Sequence, residues 1–153
     1  MSPRRSRFAR QSAALVSAAS VGALLFSVRV ATSVFHEMPG DRALAGRIAG
    51  RAFAGAYWIA VVAAVVAIVI VLTTRSRHAG SDAWLAGSLL SMGVLQLAWV
   101  APAIARHGVG WPASFASLHA TGGVLHMALA TCALVLAWRL LDAVDDPSEP
   151  RPA

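Results

Sequence analysis

Four long apolar stretches, at about residues 13–35, 54–73, 83–103 and 119–141, are separated by short segments rich in arginine, glycine and proline. At about 1.5 Å of rise per residue, some 20 helical residues cover a hydrocarbon core of roughly 30 Å, so each stretch predicts one membrane span. A helix satisfies its own backbone in lipid, and connections this short make consecutive spans antiparallel. The pattern predicts an all-α membrane protein, a four-helix up-down-up-down bundle. Its transmembrane domain covers residues 13–142, with spans at about 13–35, 43–73, 83–105 and 117–141. Residues 1–12 read as a basic tail, and the acidic, proline-rich stretch 143–153 lacks the apolar content to fold. After Pro39 and Gly40, Asp41 is placed to cap a helix that runs through ALAGRIAGRAFAGAYW straight into the second span.

Polar positions inside the spans are few and carry most of the functional information. Arg29, Thr32, Ser33 and His36 fall at i, i+3, i+4 and i+7 on the first span, and His119, Gly122, Gly123 and His126 repeat that spacing on the fourth. Ser88, Ser91, Met92 and Gln96 form a weaker stripe on the third. Counted inward from Phe35, Ala103 and His119, the residues Arg29, Gln96 and His126 all lie roughly 10 Å deep. A mid-helix arginine costs on the order of 3 kcal/mol on insertion scales, and no Asp or Glu lies within these spans to neutralise it. Helical side chains lean toward the helix amino end, which for Arg29 is toward the bilayer centre, so Arg29 is expected inside the bundle.

Two uses of such a layer stand open. Arg29, Ser33, Gln96 and His126 are candidate ligands for a small anion or polar molecule entering from outside. Alternatively, they clamp three helices in register through interhelical hydrogen bonds. The histidines His36, His119 and His126 give a further alternative, a haem or copper site used in redox chemistry or metal handling. His119 and His126 are roughly 10 Å apart along one helix, so any such site has to pair the first and fourth spans. Gly46 and Gly50 form a G-x-x-x-G pair suited to close helix packing, including packing against a second copy or another membrane subunit.

Composition agrees with the span pattern. Of 153 residues, 58% are hydrophobic and 13% charged, with a mean hydropathy of +0.65, outside the range of soluble domains. All 13 basic residues are arginine, which together with abundant alanine suggests a GC-rich bacterial genome and an inner-membrane location. The net charge of +6 gathers at the ends of apolar stretches, where lipid headgroups and topology account for it, so membrane lipids rather than nucleic acid are the expected partners. The apolar stretch after MSPRRSRFAR is longer than the core of an ordinary leader and reads as a span. Cys132 is a lone cysteine and reads as a small apolar residue. Tyr57, Trp58, Trp84, Trp99, Trp111 and Trp138 near span ends read as interfacial anchors. The sequence holds no CxxC, HExxH, GxSxG or phosphate-binding glycine loop, and its paired carboxylates fall only in the tail, so no enzymatic activity is expected. Apart from the haem or copper alternative, no cofactor is expected.

The segments VFHEMP and ALAGRIAGRAF, residues 34–39 and 43–53, and FASLH, residues 115–119, resemble motifs of the transmembrane-protein-205-like family, small four-span proteins catalogued in bacteria largely as a domain of unknown function. The resemblance implies the four-span fold and no activity. It departs from the family at Ala31-Thr32, where Ala-Pro is usual, so a kink there is not expected, and Arg29 is not part of the pattern. A distant likeness to four-helix copper-resistance and haem-handling membrane proteins keeps the metal alternative open.

Arginine placement sets orientation. The amino end, the second connection and the carboxyl end together carry eight arginines, against four in the first and third connections, so both termini are expected in the cytoplasm. Alkaline phosphatase fused after Gly40 or Arg106 should therefore be active, and fused after Arg77 or at Ala153 inactive. The opposite pattern would invert the topology.

Overall fold

The computed structural model describes residues 3–74, 78–106 and 115–142. Among them there are no strands, and four helical rods are long and apolar enough to cross a membrane. The first is α1 (Pro3–Glu37) and the second α2 (Arg42–Thr74). The third rod joins α3 (Ala79–Leu95), a π-helical turn (Gln96–Val100) and α4 (Ala101–Ala105); the fourth is α5 (Phe115–Asp142). Packing runs in a ring, α1 on α2, α2 on α3, α3 on α5 and α5 on α1, as an up-down-up-down bundle requires. Trp111, His107, Arg75, Arg77, Arg151 and the 143–153 stretch lie outside the described residues.

The basic segment is helical instead of a tail. Pro3 opens α1, where its missing N–H would have had no helical partner anyway, and the arginines and alanines that follow are strong helix formers. Arg10 is buried, and its Nη2 donates to the carbonyl of Thr74 at 3.3 Å, closing an open carbonyl at the end of α2. At the opposite end α1 and α2 are joined by a short turn. Met38 N–H donates to Val34 O at 3.0 Å, Asp41 N–H to Met38 O at 3.3 Å, and Asp41 Oδ1 accepts from Leu44 N–H at 2.9 Å as the expected cap of α2.

Packing is small-inside and large-outside. On α2 the buried positions are Ala45, Ala49, Ala56, Ala60, Ala63, Ala64 and Ala67 together with Tyr57 and Val71, while Trp58, Ile59, Val62, Val65, Val69 and Leu72 face outward. Far from being featureless, this span lays an alanine face against its neighbours at short range. Two glycines carry close approaches. A Cβ on Gly93 would stand 2.8 Å from Val61 Cγ2, and one on Gly122 would stand 3.2 Å from Val100 Cγ1. Gly46 and Gly50, by contrast, are exposed and have nothing within 4 Å of an added Cβ, so the G-x-x-x-G pair packs against no helix among the described residues.

Pro102 explains the π-helical turn. It lacks the N–H that would bond Ala98, and its ring crowds that carbonyl. Widening the preceding turn relieves the clash, and Ala101 N–H bonds Gln96 O, a five-residue step.

The end of the bundle that holds Arg10 has a second tie. Arg139 Nε donates to Asp82 Oδ1 at 2.7 Å and its Nη2 to Ser81 Oγ at 2.6 Å. Asp82 lies in the first turn of α3 and Arg139 in the last turn of α5, so each charge also opposes the dipole of its own helix end. The Asp82 side chain is only 3% exposed. Arg139→Met should therefore lower unfolding stability in detergent by on the order of 3 kcal/mol by leaving a buried charge unpaired, while Asp82→Leu/Arg139→Met should recover most of the loss. Equal stability of the single and double variants would show that the pair is unimportant.

Candidate polar site in the bundle core

The residues that converge are Gln96, His126 and Tyr57. Gln96 and His126 are buried at 1% and 5% exposure, and so is Tyr57, at 5%, in place of the interfacial position expected for it. Its phenol lies on the inner side of α2, level with the alanine face, while Trp58 takes the outward position.

Gln96 Nε2 donates to Gly122 O at 2.8 Å, across from the π-helical turn to α5. At Gly122 an added Cβ would crowd Val100 and Ile104 of the third rod, and the absence of a side chain opens its carbonyl to the amide. In an α-helix the same carbonyl also accepts from His126 N–H, so Gln96 and His126 meet at one peptide group. The Tyr57 hydroxyl pairs with His126 Nδ1 at 3.3 Å. α2 and α5 are diagonal in the ring of contacts, so this bond crosses the bundle. Phe53 and Tyr57 both meet the imidazole edge-on, at ring-centroid distances of 5.4 and 5.8 Å.

Tyr57 makes no other hydrogen bond, which assigns its O–H as the donor to Nδ1 and puts the imidazole proton on Nε2. Nε2 is buried without a hydrogen-bond partner. The Leu24 carbonyl of α1 interacts with the ring, but outside hydrogen-bond geometry, and it already accepts from Ser27 Oγ at 2.7 Å. Ser17 Oγ, on the same buried face of α1, is the other unsatisfied buried side-chain atom among the described residues.

Arg29 does not join this group, contrary to expectation. The buried face of α1 runs through Arg10, Ala13, Ser17, Ser20, Leu24 and Ser27. Arg29 follows Ser27 by two positions, a turn of about 200°, and is exposed. Ser33 is half-buried, and Thr32 Oγ1 bonds back to Arg29 O and Val28 O. α1 ends at Glu37 and α2 starts at Arg42, so counting 1.5 Å per residue away from the turn puts Arg29, eight residues back, at about the level of Gly50, eight residues on. Arg29 thus shares its level with the arginine-bearing start of α2 and not with its apolar span.

His36 and His119 are exposed and His126 is buried. Among the described residues no group of three or more His, Cys, Asp or Glu side chains is close enough to hold one metal ion, so the three histidines are not brought together. Cys132 is half-buried and free. Ser88 and Met92 are half-buried and Ser91 is exposed, bonding back to Gly87 O at 2.8 Å, so that stripe contributes only Gln96.

Fold and core together define a multi-pass helical membrane protein with a compact polar centre. The chain belongs to the DUF4149 family, a domain of unknown function whose profile matches residues 15–108. The match covers the first three spans and Gln96 and stops before α5, which carries His126 and the FASLH segment. It does not extend to the transmembrane-protein-205-like family by name. No curated protein and no solved structure matches the chain.

Unequal losses are expected from the two polar contacts. Gln96→Leu leaves Gly122 O bonded to His126 N–H and should cost about 0.6 kcal/mol, at most about 1.7. Tyr57→Phe strips His126 of its partner inside the core and should cost about 1–3 kcal/mol. Unfolding in a detergent titration checks the order, and a larger effect at Gln96 would contradict the assignment.

Proposed function

We propose that the protein is a non-enzymatic multi-pass protein of a bacterial inner membrane, with both termini in the cytoplasm, that holds one small polar ligand at His126. The observation that carries this reading is a buried imidazole in the core of the bundle, bound by Tyr57 on one nitrogen and unsatisfied on the other. An ionisable side chain inside a membrane bundle is costly to keep and is a functional-site candidate by default. An unsatisfied buried donor costs about 1–3 kcal/mol, which a ligand at Nε2 would return.

Donor direction narrows the ligand. With Nε2 carrying the proton, the site suits a molecule that offers an acceptor oxygen. Arg29 on the outer surface supplies no cation to this core, which favours a neutral polar molecule over the small anion that an inward arginine would have suited. The clamp and the binding site are compatible, because Gln96 and Tyr57 hold the helices while Nε2 stays free. The likeness to the transmembrane-protein-205-like family supports the four-span framework and adds no activity to it.

Native mass spectrometry of protein extracted from its own membranes tests the reading. Wild type should carry a small-molecule adduct that is lost in His126→Asn, a change that leaves a polar atom near Nδ1 for Tyr57 and removes Nε2. Circular dichroism should show the variant folded. A wild type without adduct, or an adduct retained by the folded variant, rejects the proposal.

A further inference from the structure

Arg29, Arg47 and Arg51 have no part in the polar core. All three are exposed, and among the described residues none of them makes a hydrogen bond or an ion pair. Each follows a buried residue by two positions, Ser27, Ala45 and Ala49 respectively, and so points about 200° away from it, out of the bundle. Arg47 and Arg51 are an i, i+4 pair on one face of α2. By the hairpin register, Arg51 is level with Val28 and Arg47 with Thr32, so three guanidinium groups from two packed helices occupy a band about 6 Å high.

The height of the band identifies what it meets. Between Arg10 and Arg29, α1 carries no charge, and nineteen residue steps make about 28 Å, close to the thickness of a hydrocarbon core. Arg10 marks one edge of that slab and the band marks the other, where phosphate groups lie. The carboxylates at this end among the described residues are Glu37 and Asp41. They sit at the hairpin tip, about 12 Å beyond Arg29, and Asp41 is occupied as a cap. Among the described residues nothing neutralises the band.

We propose that Arg29, Arg47 and Arg51 bind the phosphate headgroup of an anionic phospholipid at the edge of the bilayer. A guanidinium matches a phosphate with two parallel N–H donors, and an arginine at this boundary gains about 1 kcal/mol from anionic lipid. A lipid fits better than free phosphate because the surface just inside the band is apolar and exposed: Leu25 and Phe26 on α1 and Trp58, Ile59 and Val62 on α2. Acyl chains have a bed there and the headgroup has its cations above it.

The experiment uses the full chain, delipidated in detergent and titrated separately with phosphatidylglycerol, phosphatidylcholine and inorganic phosphate, with bound species counted by native mass spectrometry. Wild type should retain phosphatidylglycerol over phosphatidylcholine, and Arg29→Gln/Arg47→Gln/Arg51→Gln should reduce that preference roughly tenfold or more. Melting in phosphatidylcholine should be unchanged, since the three side chains are exposed and make no hydrogen bond or ion pair among the described residues. An unchanged preference overturns the proposal. So does an equal loss in Arg5→Gln/Arg7→Gln, which would report surface charge in general, binding of inorganic phosphate as tight as of the lipid, or a variant that melts earlier in phosphatidylcholine.

Discussion

Close approach of small side chains is the constraint from which the rest of this bundle follows. Lipid tails are as apolar as leucine, so helices in a bilayer gain little by hiding large apolar groups from their surroundings. What binds them is contact at short range. α2 accordingly turns mostly alanines inward and sets Trp58, Ile59, Val62, Val65 and Val69 outward, the reverse of a water-soluble helix. Gly93 and Gly122 take the two tightest positions, one against Val61 and one against Val100. Gly122 also shows how packing leads to chemistry, because the approach that its missing side chain permits is what brings the Gln96 amide to its carbonyl.

Once the helices are that close, polar groups between them have to be satisfied by one another. At the end that holds Arg10 they are. Arg10 meets the last carbonyl of α2, and Arg139 meets Asp82 and Ser81. At the level of Gln96 the accounting is nearly complete: Gly122 O serves two donors, Tyr57 serves Nδ1, and one atom, His126 Nε2, is left over. A core otherwise this economical makes the remaining N–H significant, and the same logic separates it from Ser17 Oγ, a rotatable hydroxyl whose neighbour Ser20 bonds backbone on its own helix.

Much of this was legible in the sequence. Apolar length fixed the four helices, Asp41 announced the cap of α2, and the polar residues of the third and fourth spans pointed to Gln96 and His126. Three things were hidden, each for a physical reason. The inward face of α1 is marked by serine and alanine, which a hydropathy reading passes over in favour of the more polar Arg29, Thr32, Ser33 and His36. Tyr57 and Trp58 are neighbours with the same interfacial preference, and only the phase of the alanine face decides which one turns inward. The π-helical turn depends on Pro102 clashing four residues back, and it shifts the phase of everything after Gln96.

Arg29 shows why depth cannot be counted from where apolar letters end. Residues 30–35 are mostly apolar, which put the surface at Phe35 and the arginine below it. The hairpin supplies a second ruler, since whatever stands beside Arg29 on α2 shares its surroundings. What stands there is Gly50 and Arg51. Two antiparallel helices that change from apolar to arginine-bearing at one level mark a boundary far better than either alone, because a residue can be misplaced on one helix but the register ties it to the other. The residues past Arg29 continue α1 to the hairpin turn, with Phe35 exposed at 47%. Arg29, turned out of the bundle, draws on no internal partner, and His126 is left as the buried imidazole whose second nitrogen the core has to accommodate.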